Sequence, residues 1–341
     1  MNQQGLDLKN ILVIHFGQLG DVVLGLPALR AIRERFSDAK ITLMVGRSAA
    51  EIARLANVAN EYIVVDRVEL RDSNTFWSIG QVFKLVRDVR SRKFDLVIDL
   101  NSLYETNLLG FLSGAKARLF ENRERRSIDR LATIKPPLED KNKHHTDRYL
   151  SVLEPLGIVG VSRTVIVDPQ IDDLQAADAY LESIGARGKR LIGLFLGAGH
   201  PTRRWGIESF SQLATELTKD DGRRVLVLLG PEERELRDGL QDRFGDSAIV
   251  VEEMGLGQFY ALLSRLEVLV TGDTGPMHLG AIAGAGIVLL SEVNTTQVYR
   301  PLITKLRVIE DRPFNEITPE QVLAAGEDLL YEKSIAEART K

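Results

Sequence analysis

The sequence has no cysteine, so disulfides and thiolate metal sites are excluded and a reducing cytosol stays open as an address. It has no apolar run approaching the roughly 18 residues of a membrane-spanning helix. Its opening, MNQQGLDLKN, lacks the basic stretch and apolar core of a secretory signal. No Asp-x-Asp occurs and His144-His145 has no ligand-like partner nearby, so no metal or other cofactor is expected. Gly-x-Ser-x-Gly is missing as well, which together with the missing cysteine leaves nucleophilic catalysis without support. Positive charge is not in excess: the formal net charge of −4 implies no general affinity for nucleic acid. These absences lead to the expectation of a soluble, cytoplasmic protein.

What is present is enough for two domains. The chain has 341 residues, 44% hydrophobic and 27% charged, a globular composition that can bury two cores. Short β-branched runs alternate with amphipathic segments throughout. Strands are expected at Ile11–Phe16, Ile41–Val45, Ile63–Val65 and Leu96–Leu100, then at Leu191–Leu196, Val225–Leu229, Ile249–Val251, Val268–Val270 and Ile287–Leu290. Helices are expected at Pro27–Phe36, Phe76–Arg92, Glu208–Thr218 and Glu232–Phe244. Such alternation builds α/β folds, parallel sheets flanked by helices. The pattern restarts at Leu191 after a crossing over Val165–Gly188. The expected division is a Rossmann-like domain over 1–165, a second over 170–318, and a terminal helix over 319–341 that could pack back on the first. Ligands gather at the carboxyl ends of parallel strands, so a cleft shared by the two halves is the expected site.

The most informative stretch is TGDTGPMHLGAIAGAG, residues 271–286. An apolar strand runs through Asp273, Thr274 and Gly275 into Pro276, which suits a helix start because its missing N–H is not needed there. Unpaired N–H groups and the positive helix end make such a turn an anion site. Asp and Thr at a helix start are also ordinary caps. Near the beginning, the strand Ile11–Phe16 runs into Gly17-Gln18-Leu19-Gly20 and then Asp21. A carboxylate at that mouth suits a general base for a hydroxyl, or a helix cap. A third segment, GAGHPTRRWGIESF at 197–210, sets Thr202, Arg203 and Arg204 ahead of a helix beginning near Gly206 or Ile207. Guanidinium groups bind phosphate oxygens bidentately. Glu232 and Glu233 follow the strand Val225–Leu229, where an acid can hold ribose hydroxyls or simply suit a first helical turn. A cationic segment, Arg118 to Lys135, could receive an anionic acceptor or be a solvated loop.

Together these segments resemble the family-9 glycosyltransferases, the bacterial heptosyltransferases of the lipopolysaccharide inner core. The resemblance rests on Leu19-Gly20-Asp21-Val22-Val23 with Leu26-Pro27-Ala28-Leu29-Arg30, on Pro201-Thr202-Arg203-Arg204-Trp205, and on Gly272-Asp273-Thr274-Gly275-Pro276-Met277-His278-Leu279. Weaker matches are Phe94–Leu100 and His145–Leu150. The resemblance implies a GT-B fold and metal-independent inversion at the anomeric carbon of an ADP-heptose donor. It implies Asp21 as the base. Donor contacts would come from Gly197, Thr202, Arg203, Arg204, Glu232, Glu233, Asp273, Thr274, Gly275, Met277 and His278. Gly20, Arg123 and Arg126 would face the acceptor, a lipid-linked oligosaccharide of the lipid A/Kdo core met at the cytoplasmic face of the inner membrane. Two positions depart from the family's habit: Arg203 stands where lysine is common, and Glu105 where a basic residue is common.

Other readings stay open at this point. The same fold could act with another nucleotide sugar or surface-glycan acceptor. A sugar-nucleotide epimerase would need further carboxylates and histidines around His200 and His278, and a non-catalytic nucleotide-sugar-binding relative would not need Asp21. A dehydrogenase lacks its third fingerprint glycine.

Overall fold

The computed structural model describes residues 8–66, 75–198, 203–292, 297–310 and 312–340. It divides into two units, Met1–Val165 and Ile166–Lys341. In the first, β1 (Asn10–His15), β2 (Lys40–Gly46), β3 (Glu61–Val65), β4 (Leu96–Asp99) and β5 (Ala117–Phe120) form one sheet in the order β3-β2-β1-β4-β5, every neighbour parallel. From Ile11 to His15 every residue of β1 is buried. Helices cover both faces of a parallel sheet, so its strands read as continuous apolar runs rather than alternating ones. The helices are α1 (Leu19–Arg35), α2 (Ala50–Leu55), α3 (Thr75–Ser91), α4 (Tyr104–Leu112) and α5 (His145–Val152).

The second unit opens with α6 (Ile171–Ser183) and continues β6 (Arg190–Phe195), α7 (Ile207–Leu217), β7 (Arg223–Leu228), α8 (Leu240–Phe244), β8 (Ile249–Val250) and α9 (Leu256–Leu263). It closes with β9 (Val268–Gly272), α10 (Gly275–Ile282), β10 (Gly286–Leu290), β11 (Leu306–Ile309) and α11 (Pro319–Thr340). Its sheet runs β11-β10-β9-β6-β7-β8, again parallel throughout. Each sheet therefore has one place where chain order reverses, between β1 and β4 in the first and between β6 and β9 in the second. Loops leaving the two central strands diverge there, which opens a crevice at their carboxyl ends.

Four differences from the sequence reading bear on the architecture. The first helix begins at Leu19 rather than Pro27, and Pro27 lies inside it. Burial of Val22, Val23, Leu24, Leu26 and Leu29 outweighs the one backbone hydrogen bond that a proline removes. The stretch Glu232–Phe244 is no single helix: a 3-10 turn over Pro231–Leu236 is separated from α8 by Gly239, whose φ is 68°. The crossing at Val165–Gly188 contains α6, with Ala177 and Leu181 buried; Tyr260 Oη also donates to Val167 O at 2.6 Å. The terminal helix α11 buries Val322, Leu329 and Leu330 in the second unit's own core beside Leu213 and Leu217, and Glu327 pairs with Arg223.

Candidate active site

Past the end of β1 the chain turns through Phe16-Gly17-Gln18 into α1, and Asp21 is the third helical residue. Its Oδ2 accepts the Gln18 N–H at 2.9 Å, so one oxygen closes the helix start. Oδ1 has no hydrogen-bond partner among the described residues. The carboxylate is therefore both cap and candidate base. Burial raises its pKa above the ordinary carboxylate range, while the Gln18 N–H and the Arg123 charge oppose the shift. A raised pKa brings a carboxylate nearer the range in which a general base works best.

Beneath Asp21 lies His15, fully buried. Its Nδ1 accepts the Gly17 N–H at 3.4 Å, and its ring packs on Tyr149 at 4.8 Å between centroids. Burial lowers its pKa to about 4, against the Asn101 side chain and the Asp21 main chain, so it is neutral near pH 7. A Cβ at Gly17 would collide with Asp21, and one at Gly25 with His15 Nε2. Both glycines are needed for this close approach of strand end and helix.

At the end of neighbouring β4, Asp99 is fully buried. Its Oδ1 accepts from Asn101 N at 3.0 Å and Ser102 N at 2.9 Å, and Oδ2 accepts from Asn107 Nδ2 at 2.8 Å. Asp99 thus builds the loop that presents Asn101. Beyond β5 come Glu121 and Arg123. The Arg123 guanidinium donates to Asn101 O at 3.0 Å and to Glu139 Oε2 at 3.3 Å, and lies 3.7 Å from Glu121 Oε2. Glu139 is also held by Arg148 at 3.1 Å. Burial pushes the Glu121 carboxyl up to about 8, with Arg123 opposing and Glu139 and Asp99 adding to the rise. Of the acceptor candidates, Gly20 and Arg123 lie with Asp21, whereas the Arg126 side chain is exposed and enters no hydrogen bond or ion pair among the described residues. Glu105 is exposed on the first turn of α4.

In the second unit, a recess opens at the ends of β6, β9 and β10, lined by Phe195, Gly197, Arg203, Trp205, Gly272, Leu290 and Phe314 among others. Trp205 packs edge-on against Phe210 at 4.7 Å and donates Nε1–H to Ile317 O at 2.9 Å, so it supports the recess from below. Arg203 is exposed at its rim. Arg204 is half-buried and reaches Glu233 at 3.6 Å. Glu233 is buried and accepts the Gly230 N–H at 3.1 Å, which commits it to its own turn; Glu232 stays exposed. Thr202, like His200, lies outside the described residues.

At the end of β9, Thr274 is the N-cap of α10 and offers no side-chain cap hydrogen bond; Pro276 occupies the second helical position rather than the first. The main-chain N–H groups of Thr274, Gly275 and Met277 therefore have no intrahelical partner. The Met277 and His278 side chains are buried, which leaves the main-chain N–H of Met277, not its side chain, available at the helix start. A Cβ at Gly280 would press on Leu269, so that glycine lets α10 lie close on the sheet. Burial raises the Asp273 carboxyl, and the Arg203 charge opposes the rise. Arg203, Asp273 and the helix end thus face one another at the second switch point.

His15, Asn101, Glu121, Glu139 and Arg148 were not expected from sequence. Two left a trace: His15, as the polar residue closing an apolar strand, and Arg148, inside the His145–Leu150 match. The others meet through tertiary packing of distant segments.

Known proteins fit this arrangement. Residues 82–313 match glycosyltransferase family 9 (heptosyltransferase). Lipopolysaccharide heptosyltransferase 3 of Escherichia coli K12 is 22% identical over 347 residues, covering 92% of this chain and 96% of its own. A family-9 glycosyl transferase from Veillonella parvula DSM 2008 superposes with a TM-score of 0.84 at 26% identity, over 96% of this chain and 98% of its own. The E. coli ADP-heptose lps heptosyltransferase II superposes with a TM-score of 0.78 at 20% identity, over 95% and 99%. The fold is that of the GT-B heptosyltransferases.

Proposed function

Because the chain belongs to glycosyltransferase family 9 and is a glycosyltransferase, we propose that it moves heptose from ADP-heptose to a lipopolysaccharide inner-core acceptor, inverting the anomeric carbon without a metal. The relatives' names supply the sugar and the acceptor class. The observation that carries the mechanism is the division of chemistry between two switch points: a carboxylate with a free oxygen at one, a cation and an uncapped helix start at the other.

Asp21 Oδ1 takes the proton of the acceptor hydroxyl. The oxygen attacks the anomeric carbon from the face opposite the diphosphate, the bond to the leaving phosphate oxygen breaks, and ADP departs with the bonding pair. Arg203 and the N–H groups at the start of α10 stabilise the charge that develops on that oxygen, a task a metal performs elsewhere. Arg204, held by Glu233, and the aromatic recess behind them suit the nucleotide. The lipid-linked acceptor places transfer at a bilayer surface, which the chain meets peripherally; none of its described helices is long and apolar enough to cross a membrane.

The test is transfer from ADP-heptose to a deacylated core oligosaccharide in EDTA, with the new linkage read by NMR. The expected product is inverted and forms without divalent ions. A retained anomer, or activity that appears only with added metal, overturns the mechanism.

A further inference from the structure

Two helices of the first unit turn an apolar and basic face outward. Both α3 and α4 pack on the same side of the sheet, with Val89 and Leu109 in one cluster with Leu12, Ile14 and Val97. Their inner faces are thus spent on the core. On α4 the outward stripe is Tyr104, Leu108 and Phe111, spaced i, i+4, i+7, while Thr106, Asn107, Leu109 and Gly110 point inward. On α3, Phe83 is 69% exposed and Val82 48%, far more than burial in a core would leave. Arg90 Nη1 donates to Leu112 O at 3.3 Å, which ties the end of α3 to the end of α4. Arg118 lies over the Phe111 ring at 5.5 Å, extending the face toward β5.

Charge around this face is one-sided. From residue 80 to 118 the exposed ionic residues are Lys84, Arg87, Arg90, Lys93 and Lys116 against Glu105, with Asp88 partly exposed and paired to Arg92, in a chain whose formal net charge is −4. Exposed apolar side chains beside cations suit the boundary of an anionic bilayer, where rings and aliphatic groups enter the headgroup layer and cations meet phosphate. The segment 118–135 suits that role less well: it exposes Arg125, Arg126 and Arg130, but among the described residues it places no exposed large apolar side chain beside them.

We propose that the α3–α4 face, through Val82, Phe83, Leu108 and Phe111 with Lys84 and Arg87, docks this protein on an anionic phospholipid surface. The proposal rests on the reading of a lipid-linked acceptor and names the surface that brings the enzyme to it. Tyr104, whose hydroxyl donates to Arg125 O at 2.6 Å, joins this face to the loop that carries Arg123. A docked face would thus lie next to the acceptor side of the site.

The test is co-sedimentation of the full chain with phosphatidylglycerol–phosphatidylethanolamine vesicles and with pure phosphatidylcholine vesicles, with ADP binding measured by calorimetry on the same preparations. The expected result is salt-sensitive binding to the anionic vesicles only. The K84E/R87E pair should weaken it at least about 25-fold, since each cation contributes roughly fivefold. Phe83→Ser should weaken it at low and high salt alike, with ADP affinity unchanged in both variants. Wild-type protein that binds ADP but stays in the supernatant overturns this inference and leaves the transferase reading standing. So does vesicle binding that both variants retain. A dimer that Phe83→Ser dissociates would assign the face to a second copy of the chain and also overturn it. Failure to bind ADP would instead count against the transferase reading.

Discussion

Replacing Glu121 by glutamine should make the protein more stable at alkaline pH and leave it unchanged in acid. Glu121 is 4% exposed at the end of β5, its Oε2 has no hydrogen-bond partner, and Arg123 Nε stands 3.7 Å away. Burial prevails over that cation and lifts the carboxyl from 4.5 to about 8. Between those values the folded protein binds a proton that the unfolded chain has released, so stability falls as pH rises through the window. The cost is about 1.4 kcal/mol per pH unit, on the order of 5 kcal/mol once the group is ionised. Glutamine has nearly the same shape and never ionises. His15 and His145, lowered to about 4 and about 3 by burial, act in the opposite sense by destabilising the fold in acid. They are common to both proteins and cancel in the difference. Urea unfolding at pH 5 and pH 8.5 measures it. At pH 5, near the start of the window, the two stabilities should lie within about 1 kcal/mol of each other, and Glu121→Gln should be the more stable by a few kcal/mol at pH 8.5. A variant less stable than wild type at pH 8.5 would show that Glu121 is ionised and paired with Arg123, and the reasoning would be refuted.

Asp21→Asn keeps an oxygen for the Gln18 N–H, so its melting temperature should hardly move, while turnover falls by roughly 10²–10⁴ as expected for a lost base; undiminished turnover removes Asp21 from the chemistry. Arg123→Gln takes away the charge that opposes the rise in the Asp21 pKa. Since the base works ionised, the acidic limb of the kcat/KM profile should move to higher pH, and a fixed limb would separate the two groups. Arg203→Ala should weaken ADP about 10- to 100-fold, the worth of a charge-assisted hydrogen bond to phosphate; unaltered affinity in calorimetry would place Arg203 outside the donor site.

The long apolar runs and glycine-bearing turns were readable because they are local. The strands Ile11–Phe16 and Val268–Val270, the helix start near Gly206, and the turn holding Thr274 all follow from adjacent residues. The strands β5, ARLF, and β11, LRVI, were missed because an arginine interrupts each apolar run. Helix α9, LGQFYALL, is apolar on nearly every side and shows no helical stripe to read. From sequence Asp21 falls in a loop, since Pro27 suggests a later helix start; burial of the Val22–Leu29 run draws it into α1 instead. In the site, glycines and a carboxylate after a strand point to a ligand from sequence alone. The ion-pair network of Glu121, Arg123, Glu139 and Arg148 spans 28 positions and is fixed only when β5 and α5 are in place.

The most direct measurement is calorimetric titration of the purified protein with ADP, UDP and GDP in the presence of EDTA. Saturable binding with clear preference for ADP, lost in Arg203→Ala, is the predicted result. Preference for UDP or GDP, or nucleotide binding that requires a divalent ion, would contradict an ADP-sugar donor held by Arg203 and the start of α10.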